Sequence, residues 1–168
     1  GVRTTAREED NLPLLKSKEG KVYNVAHIQD FLTINIDIFD DMVLDGELYI
    51  HGELLQDIGS AINKPNLNTP RVVLILFDLA IEDATNLERW NIIKNDIKPK
   101  LEQHINCPIV IIETVRINND AQAQAYTDKC IKAGYEGAIF RQFNGEYAFG
   151  KRPQSMTKLK RTISHEFK

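Results

Sequence analysis

The chain has 168 residues, 42% of them hydrophobic and 27% charged. That suffices for one domain with its own core and excludes a multidomain assembly. No apolar run approaches a membrane span and no signal peptide opens the chain, so no membrane partner is expected. The two cysteines, Cys107 and Cys130, lack disulfide or metal spacing and read as reduced, partly buried thiols. The net charge of -3 conceals an asymmetry. Residues 141–168 hold seven Lys/Arg against two Asp/Glu, while the rest of the chain is acidic. A basic end on an acidic body suits a polyanion, and a solvated tail reads the same composition equally well.

Residues 1–6 show no clear period. Val22-Tyr23-Asn24 predicts a short strand, and Ala26–Phe39 a helix with apolar Ile28, Phe31, Leu32 and Ile38. Met42–Ile50 reads as a strand interrupted by Gly46. Leu54–Ile62 has helical spacing, and Asn63–Pro70 has the Asn/Pro/Thr content of a loop. Arg71–Ala80 contains the unbroken apolar run Val72 to Phe77, which predicts a strand covered on both faces. Thr85 followed by Glu88 marks a capping box for a helix to about His104, kinked or split by Pro99. Pro108–Val115 predicts a further strand. Asn119–Ala133 predicts a helix stopped by Gly134. Gly137–Arg141, Tyr147–Lys151 and Met156–Arg161 read as strands joined by turns at Asn144-Gly145 and Pro153-Gln154. This mixture, without strict alternation, predicts an α+β fold with largely antiparallel sheets.

Four segments carry the chemistry: Leu44-Asp45-Gly46-Glu47-Leu48, Leu76-Phe77-Asp78-Leu79, Tyr135-Glu136-Gly137-Ala138-Ile139 and Lys158-Leu159-Lys160-Arg161. Each alone has a bland reading as bulge, core aromatic or solvated strand face. Taken together, Asp45 and Glu47 leave one strand face, Glu136 heads a second strand, and Lys158 and Lys160 share one face of a third. Carboxylates for Mg²⁺, lysines for phosphate oxygens and an aromatic wall for a base form the inventory of a nucleoside triphosphate site. For Asp45 and Asp78 the competing reading is structural, by hydrogen bonding to neighbouring backbone, and it is the preferred one for Asp78. The four histidines show no ligand spacing.

In this order the segments resemble motifs III, IIIa, IV and V of the covalent nucleotidyltransferase superfamily of DNA ligases, RNA ligases and mRNA capping enzymes, and most closely the ATP-dependent DNA ligases of small viral and bacterial type. Gly1-Val2-Arg3 resembles the end of motif I, and Ser17-Lys18-Glu19-Gly20 resembles motif Ia. The resemblance implies two largely antiparallel β-sheets flanked by helices, the ATP-grasp-like nucleotidyltransferase domain, with ATP and Mg²⁺ as cofactors. It implies nicked double-stranded DNA and ATP/AMP as partners, a monomer, and a cytoplasmic setting in a bacterial cell or phage-infected host. Phe77 would stack on adenine, Glu47 would serve the ribose or metal, and Glu136 would serve Mg²⁺. Lys158 and Lys160 would grip the α-phosphate, with Glu47, Lys158 and Lys160 as the catalytic set. Arg3 would lie near the nucleotide. Lys18, Arg141, Lys151 and Arg152 would meet DNA.

Two departures accompany the resemblance. The motif I lysine would fall three residues before Gly1, so covalent attachment of AMP to these 168 residues is not expected. Lys18 stands where motif Ia usually has arginine, which keeps the charge and loses the bidentate fork. The chain is read as one adenylation domain, incomplete at its start and without the OB-fold domain that follows motif V. An RNA ligase domain, or a non-catalytic module that holds nucleotide or DNA, is the alternative reading.

Overall fold

The computed structural model describes residues 1–39, 42–150 and 154–160. Lys151, Arg152, Pro153 and Arg161 therefore lie outside the described residues. The fold is α+β, with a five-stranded sheet, a two-stranded sheet and flanking helices.

Strands β1 (Val2–Glu9) and β2 (Leu12–Lys16) open the chain as a hairpin. Its turn is Asp10-Asn11, at φ of 53° and 60°. Two left-handed residues give the type I′ turn that matches strand twist, and Asp and Asn tolerate that conformation. Sequence reading finds no period here because the buried face of β1 is lined by Thr4 and Ala6, which are not large apolar residues. Strands β3 (Leu44–Tyr49), β4 (Val73–Leu79) and β5 (Ile109–Ile111) complete the sheet in the order β2-β1-β3-β4-β5. All pairings are antiparallel except β4 with β5. The predicted strand at Val22–Asn24 reduces to a single bridge between Val22 and Lys16.

Helix α1 (Ala26–Ile34) and the short α2 (Ile36–Phe39) replace the single helix expected there. Both the backbone and side-chain amides of Asn35 donate to the Phe31 carbonyl, at 3.1 and 2.9 Å. Such local side-chain competition for a carbonyl ends helices. Helix α3 (Leu55–Asn63) buries Ile58, Ala61 and Ile62. Helix α4 (Asn86–Ile92) starts with the predicted Thr85/Glu88 capping box. A five-residue π-type turn, Ile93–Ile97, separates it from α5 (Lys98–Leu101). Pro99 has no N–H to donate four residues back, so a regular ladder cannot run through it, and it sits instead in the first turn of α5.

The core lies between one face of the five-stranded sheet and these helices. Leu15, Val25, Ile28, Leu48, Ile62, Leu74, Leu76 and Ile97 are fully buried there. Each such side chain contributes roughly 1.5–3 kcal/mol of transfer free energy. β4 is covered less evenly than its apolar run predicts. Leu74, Leu76 and Leu79 are buried, whereas Val73, Ile75 and Phe77 on the other side are only half-buried.

Helix α6 (Asp120–Lys132) is capped by Asn119 and ended by Gly134 at φ 89°. It packs behind the second sheet, an antiparallel pair of β6 (Gly137–Arg141) and β7 (Met156–Lys160). The expected strand at Tyr147–Lys151 does not form over its described residues, 147–150. Backbone groups of the connection are committed elsewhere: the carbonyls of Gly145 and Phe143 accept from the first-turn amides of Asn86 and Leu87, at 2.8 and 3.0 Å. No helix among the described residues is long and apolar enough to cross a membrane.

Candidate nucleotide site

Cross-strand partners share a sheet face. The register therefore sets Arg3, Glu47 and Ile75 in one row across β1, β3 and β4, and Thr5, Asp45 and Asp78 in the next. This is the half-covered face of the sheet, opposite the core. Between the two rows the β3–β4 pairing passes from Asp45–Asp78 to Gly46–Leu76, which leaves Phe77 as the extra residue of a bulge. Gly46 is required at this point, because a Cβ there would lie 2.6 Å from the Ile75 carbonyl oxygen.

On the second sheet, Gly137, Ile139 and Arg141 share a face with Lys160, Lys158 and Met156. Gly137 has φ 152°, and a Cβ on it would meet the Leu159 carbonyl oxygen at 2.0 Å, so the strands can pair only around a glycine. The opposite face carries Ala138, which is buried, with α6 packed against the strand.

Two buried acids tie the first sheet to the second, one to strand β6 and one to the β6–β7 connection. Asp78 is 7% exposed and accepts from Arg89 Nε at 2.7 Å, Arg141 Nη1 at 2.7 Å and the Leu79 amide at 2.9 Å. Arg89, 3% exposed, also donates to the carbonyls of Ala84 and Gly145. Asp45 is 1% exposed; it holds the Arg3 fork at 3.1 and 2.6 Å and accepts from the Tyr147 hydroxyl at 2.7 Å. The bond to Asp45 raises the pKa of the Arg3 guanidinium. Burial and then the Asp45 charge push the Tyr147 phenol up, so it remains a donor. Replacing Tyr147 by phenylalanine removes one donor from a buried carboxylate that keeps its arginine. An expected loss of about 1–3 kcal/mol in chemical denaturation follows.

At the other end, the Tyr49 hydroxyl lies 3.1 Å from His51 Nδ1, and the His51 and Tyr135 rings are 6.0 Å apart. Tyr135 thus brings the start of β6 to the end of β3. Glu47 alternates between Asp45 and Tyr49, so it faces the gap bounded by these two sets of contacts.

Glu136 precedes β6, with Lys158 Nζ at 3.1 Å and Lys160 Nζ at 3.4 Å. The hydrogen bond from Lys158, with the Lys160 charge behind it, holds its carboxyl below the usual glutamate range. The pairs are solvent-exposed and worth little in themselves, so a phosphate can take over the lysines at small cost. The arginine at 141 was expected at the DNA surface. Instead its guanidinium is turned inward onto Asp78, 5.3 Å from the Phe77 ring centroid. Lys18 stands exposed in the turn after β2, and β1 separates that strand from β3. Lys151 and Arg152 fall outside the described residues.

The structure therefore groups Glu136 with Lys158 and Lys160, and sets Phe77, Glu47 and Arg3 on the opposing sheet. It makes Asp45 and Asp78 the joints between sheets, as the structural reading of Asp78 requires. Sequence reasoning passed over two residues. Ile139, half-exposed, lies beside Lys158 on the face shared with Gly137 and Arg141, and that alternation is the available signal for it. Arg89 is buried against Asp78, and nothing in its spacing marks it as buried.

Among the described residues no three His, Cys, Asp or Glu side chains gather as a metal cage. A carboxylate beside two lysines would suit Mg²⁺, which keeps several waters and is commonly held by one carboxylate plus substrate oxygens.

Two sheets facing each other with this acid–lysine–lysine cluster and an aromatic bulge define a nucleotidyltransferase domain, and solved structures carry the same fold. Chlorella virus DNA ligase-adenylate superposes with a TM-score of 0.73 at 23% identity, over 95% of this chain and 60% of that one. The bacteriophage T7 ATP-dependent DNA ligase in complex with ATP gives 0.73 at 17% identity, over 95% and 59%. The chain belongs to the ATP dependent DNA ligase domain family, whose model matches residues 1–160. DNA ligases of African swine fever virus isolates from Pretoriuskop and Malawi are each 30% identical over 99% of this chain. The chain spans 41% of their length.

Proposed function

We propose that this domain binds ATP with its base between Phe77 and Ile139, its ribose toward Glu47 and Arg3, and its phosphates on Lys158 and Lys160. Glu136 would hold Mg²⁺ against the phosphates, directly or through water. The observation that carries this reading is the Glu136–Lys158–Lys160 cluster, on an inner face that also presents an exposed isoleucine. The protein containing this domain would be an ATP-dependent DNA ligase that seals nicks through enzyme-AMP and DNA-adenylate intermediates. Each step is an attack on phosphorus, so positioning and charge neutralisation dominate over proton transfer.

The nucleophile for the first step would be a lysine in a Lys-x-Asp-Gly motif, and residues 1–168 contain none. These residues would therefore bind ATP without forming a phosphoramide. Incubation with ATP labelled in its α-phosphate should leave no covalent AMP on the chain, and an adduct on any of its lysines would overturn this part of the proposal.

Stacking on an aromatic ring contributes about 1–3 kcal/mol for a nucleic-acid base. Phe77→Ala should therefore weaken ATP binding by about fivefold or more in calorimetric titration. A loss under about threefold would assign Phe77 to packing alone.

A further inference from the structure

Glu136 is 74% exposed, and the side chains that hold it among the described residues are Lys158 and Lys160. A phosphate that takes both lysines releases the carboxylate from them. Its place then depends on the two residues that flank it. Gly137 pairs with Lys160 through its backbone and has no side chain to anchor. Tyr135 is anchored twice. Its amide donates to the Cys130 carbonyl at 3.0 Å, and the Gly134 amide donates to the Ile131 carbonyl at 3.0 Å. These are the two bonds of a Schellman end, and they fix Tyr135 to the last turn of α6.

The Tyr135 ring is held from the other sheet. The His51 ring lies 6.0 Å from it, inclined at 59°. A Cβ on Gly134 would stand 4.0 Å from His51 Cε1, so the turn itself reaches the imidazole. His51 is fixed in turn by Tyr49, whose hydroxyl is 3.1 Å from Nδ1 and whose ring meets the imidazole at 6.1 Å. Tyr49 follows Glu47 by two residues on β3 and so shares its face. The contacts therefore run from the strand that carries Glu47 to the residue before Glu136. Tyr135 is 52% exposed, and a ring half in solvent adds little to a core. Its contact with His51 instead sets where β6 begins.

We infer that Tyr135, clasped between the end of α6 and His51, is a positioning residue that holds Glu136 in place for Mg²⁺ when ATP occupies Lys158 and Lys160. His51 is its counterpart on the first sheet. This rests on the reading in which Glu136 serves the metal, and it adds the two residues that keep the carboxylate there. In this role neither ring binds the nucleotide, so metal-free ATP binding is independent of them.

Calorimetric titration of the chain with ATP, once in excess Mg²⁺ and once in EDTA, is the test. The wild type should bind ATP more tightly with Mg²⁺. Tyr135→Ala should shrink that gain by about 2- to 10-fold, the worth of one aromatic pair, and leave the affinity in EDTA unchanged. Tyr135→Phe keeps the ring and should keep the gain. His51→Ala should match Tyr135→Ala, and the double variant should lose no more than either single one, because both break one contact. His51→Ala leaves the end of α6 intact and carries the test if Tyr135→Ala fails to fold. An undiminished gain in the alanine variants, an equal loss with and without Mg²⁺, or a Tyr135→Phe variant as impaired as Tyr135→Ala would overturn the positioning role and leave the nucleotide site standing. A wild type that binds ATP equally well in EDTA would overturn the assignment of the metal to Glu136, and the inference with it. A wild type that binds no ATP under either condition would overturn the nucleotide site itself.

Discussion

Lys158→Ala is expected to lower the affinity of the domain for ATP by about 10- to 150-fold, the equivalent of one charge-assisted hydrogen bond at about 1.5–3 kcal/mol. The side chain is two-thirds buried, shares the inner face of β6–β7 with Ile139 and Lys160, and among the described residues is tethered by the weak pair with Glu136. In a ligase that contains this domain the effect on chemistry would be larger. Removing one preorganised group from developing phosphate charge typically costs 10²–10³ in rate. Lys158→Arg retains the charge at a different geometry and should recover part of the binding. Calorimetric titration with ATP checks the first effect, and unchanged affinity in Lys158→Ala would remove this residue from the phosphate grip.

Asp78→Ala is expected to cost about 3–5 kcal/mol of stability, because it leaves the buried Arg89 without its carboxylate. For a chain of this length that corresponds to a Tm lower by about 6–20 °C. Two features place the expectation at the high end. Arg89 cannot reach water from its present position, and Arg141 loses the anchor that draws the second sheet toward the first. Glu113→Ala is the control, since its exposed pair with Lys129 should contribute at most about 1 kcal/mol. A Tm for Asp78→Ala within about 2 °C of the wild type would show that the joint is not structural.

Much of this architecture is legible in the sequence where one force dominates. The capping box at Thr85, the glycine stop at Gly134 and the apolar strand β4 all follow from local rules, and the structure has them. Where tertiary contacts override local preference, the sequence misleads. The β1 strand hides because its buried face presents Thr4 and Ala6 and no large apolar residue. Tyr147–Lys151 has strand-like composition, but Tyr147 is drawn to Asp45 and the neighbouring carbonyls cap α4. The site divides in the same way. The grouping of Glu136 with Lys158 and Lys160 was expected from the order of motifs, and the structure brings them together. That Asp45 and Asp78 serve as joints, with Arg141 turned inward, depends on partners up to 102 residues away in sequence, which no spacing rule reaches.

The central claim is that a nucleotide base enters between β4 and β6. Photolabelling with 8-azido-ATP, followed by mapping of the modified peptides, tests it most directly. Adducts should fall at Leu76–Asp78 and Gly137–Arg141 and should disappear with excess ATP. Competable adducts confined to α6 or to the β1–β2 hairpin would contradict it.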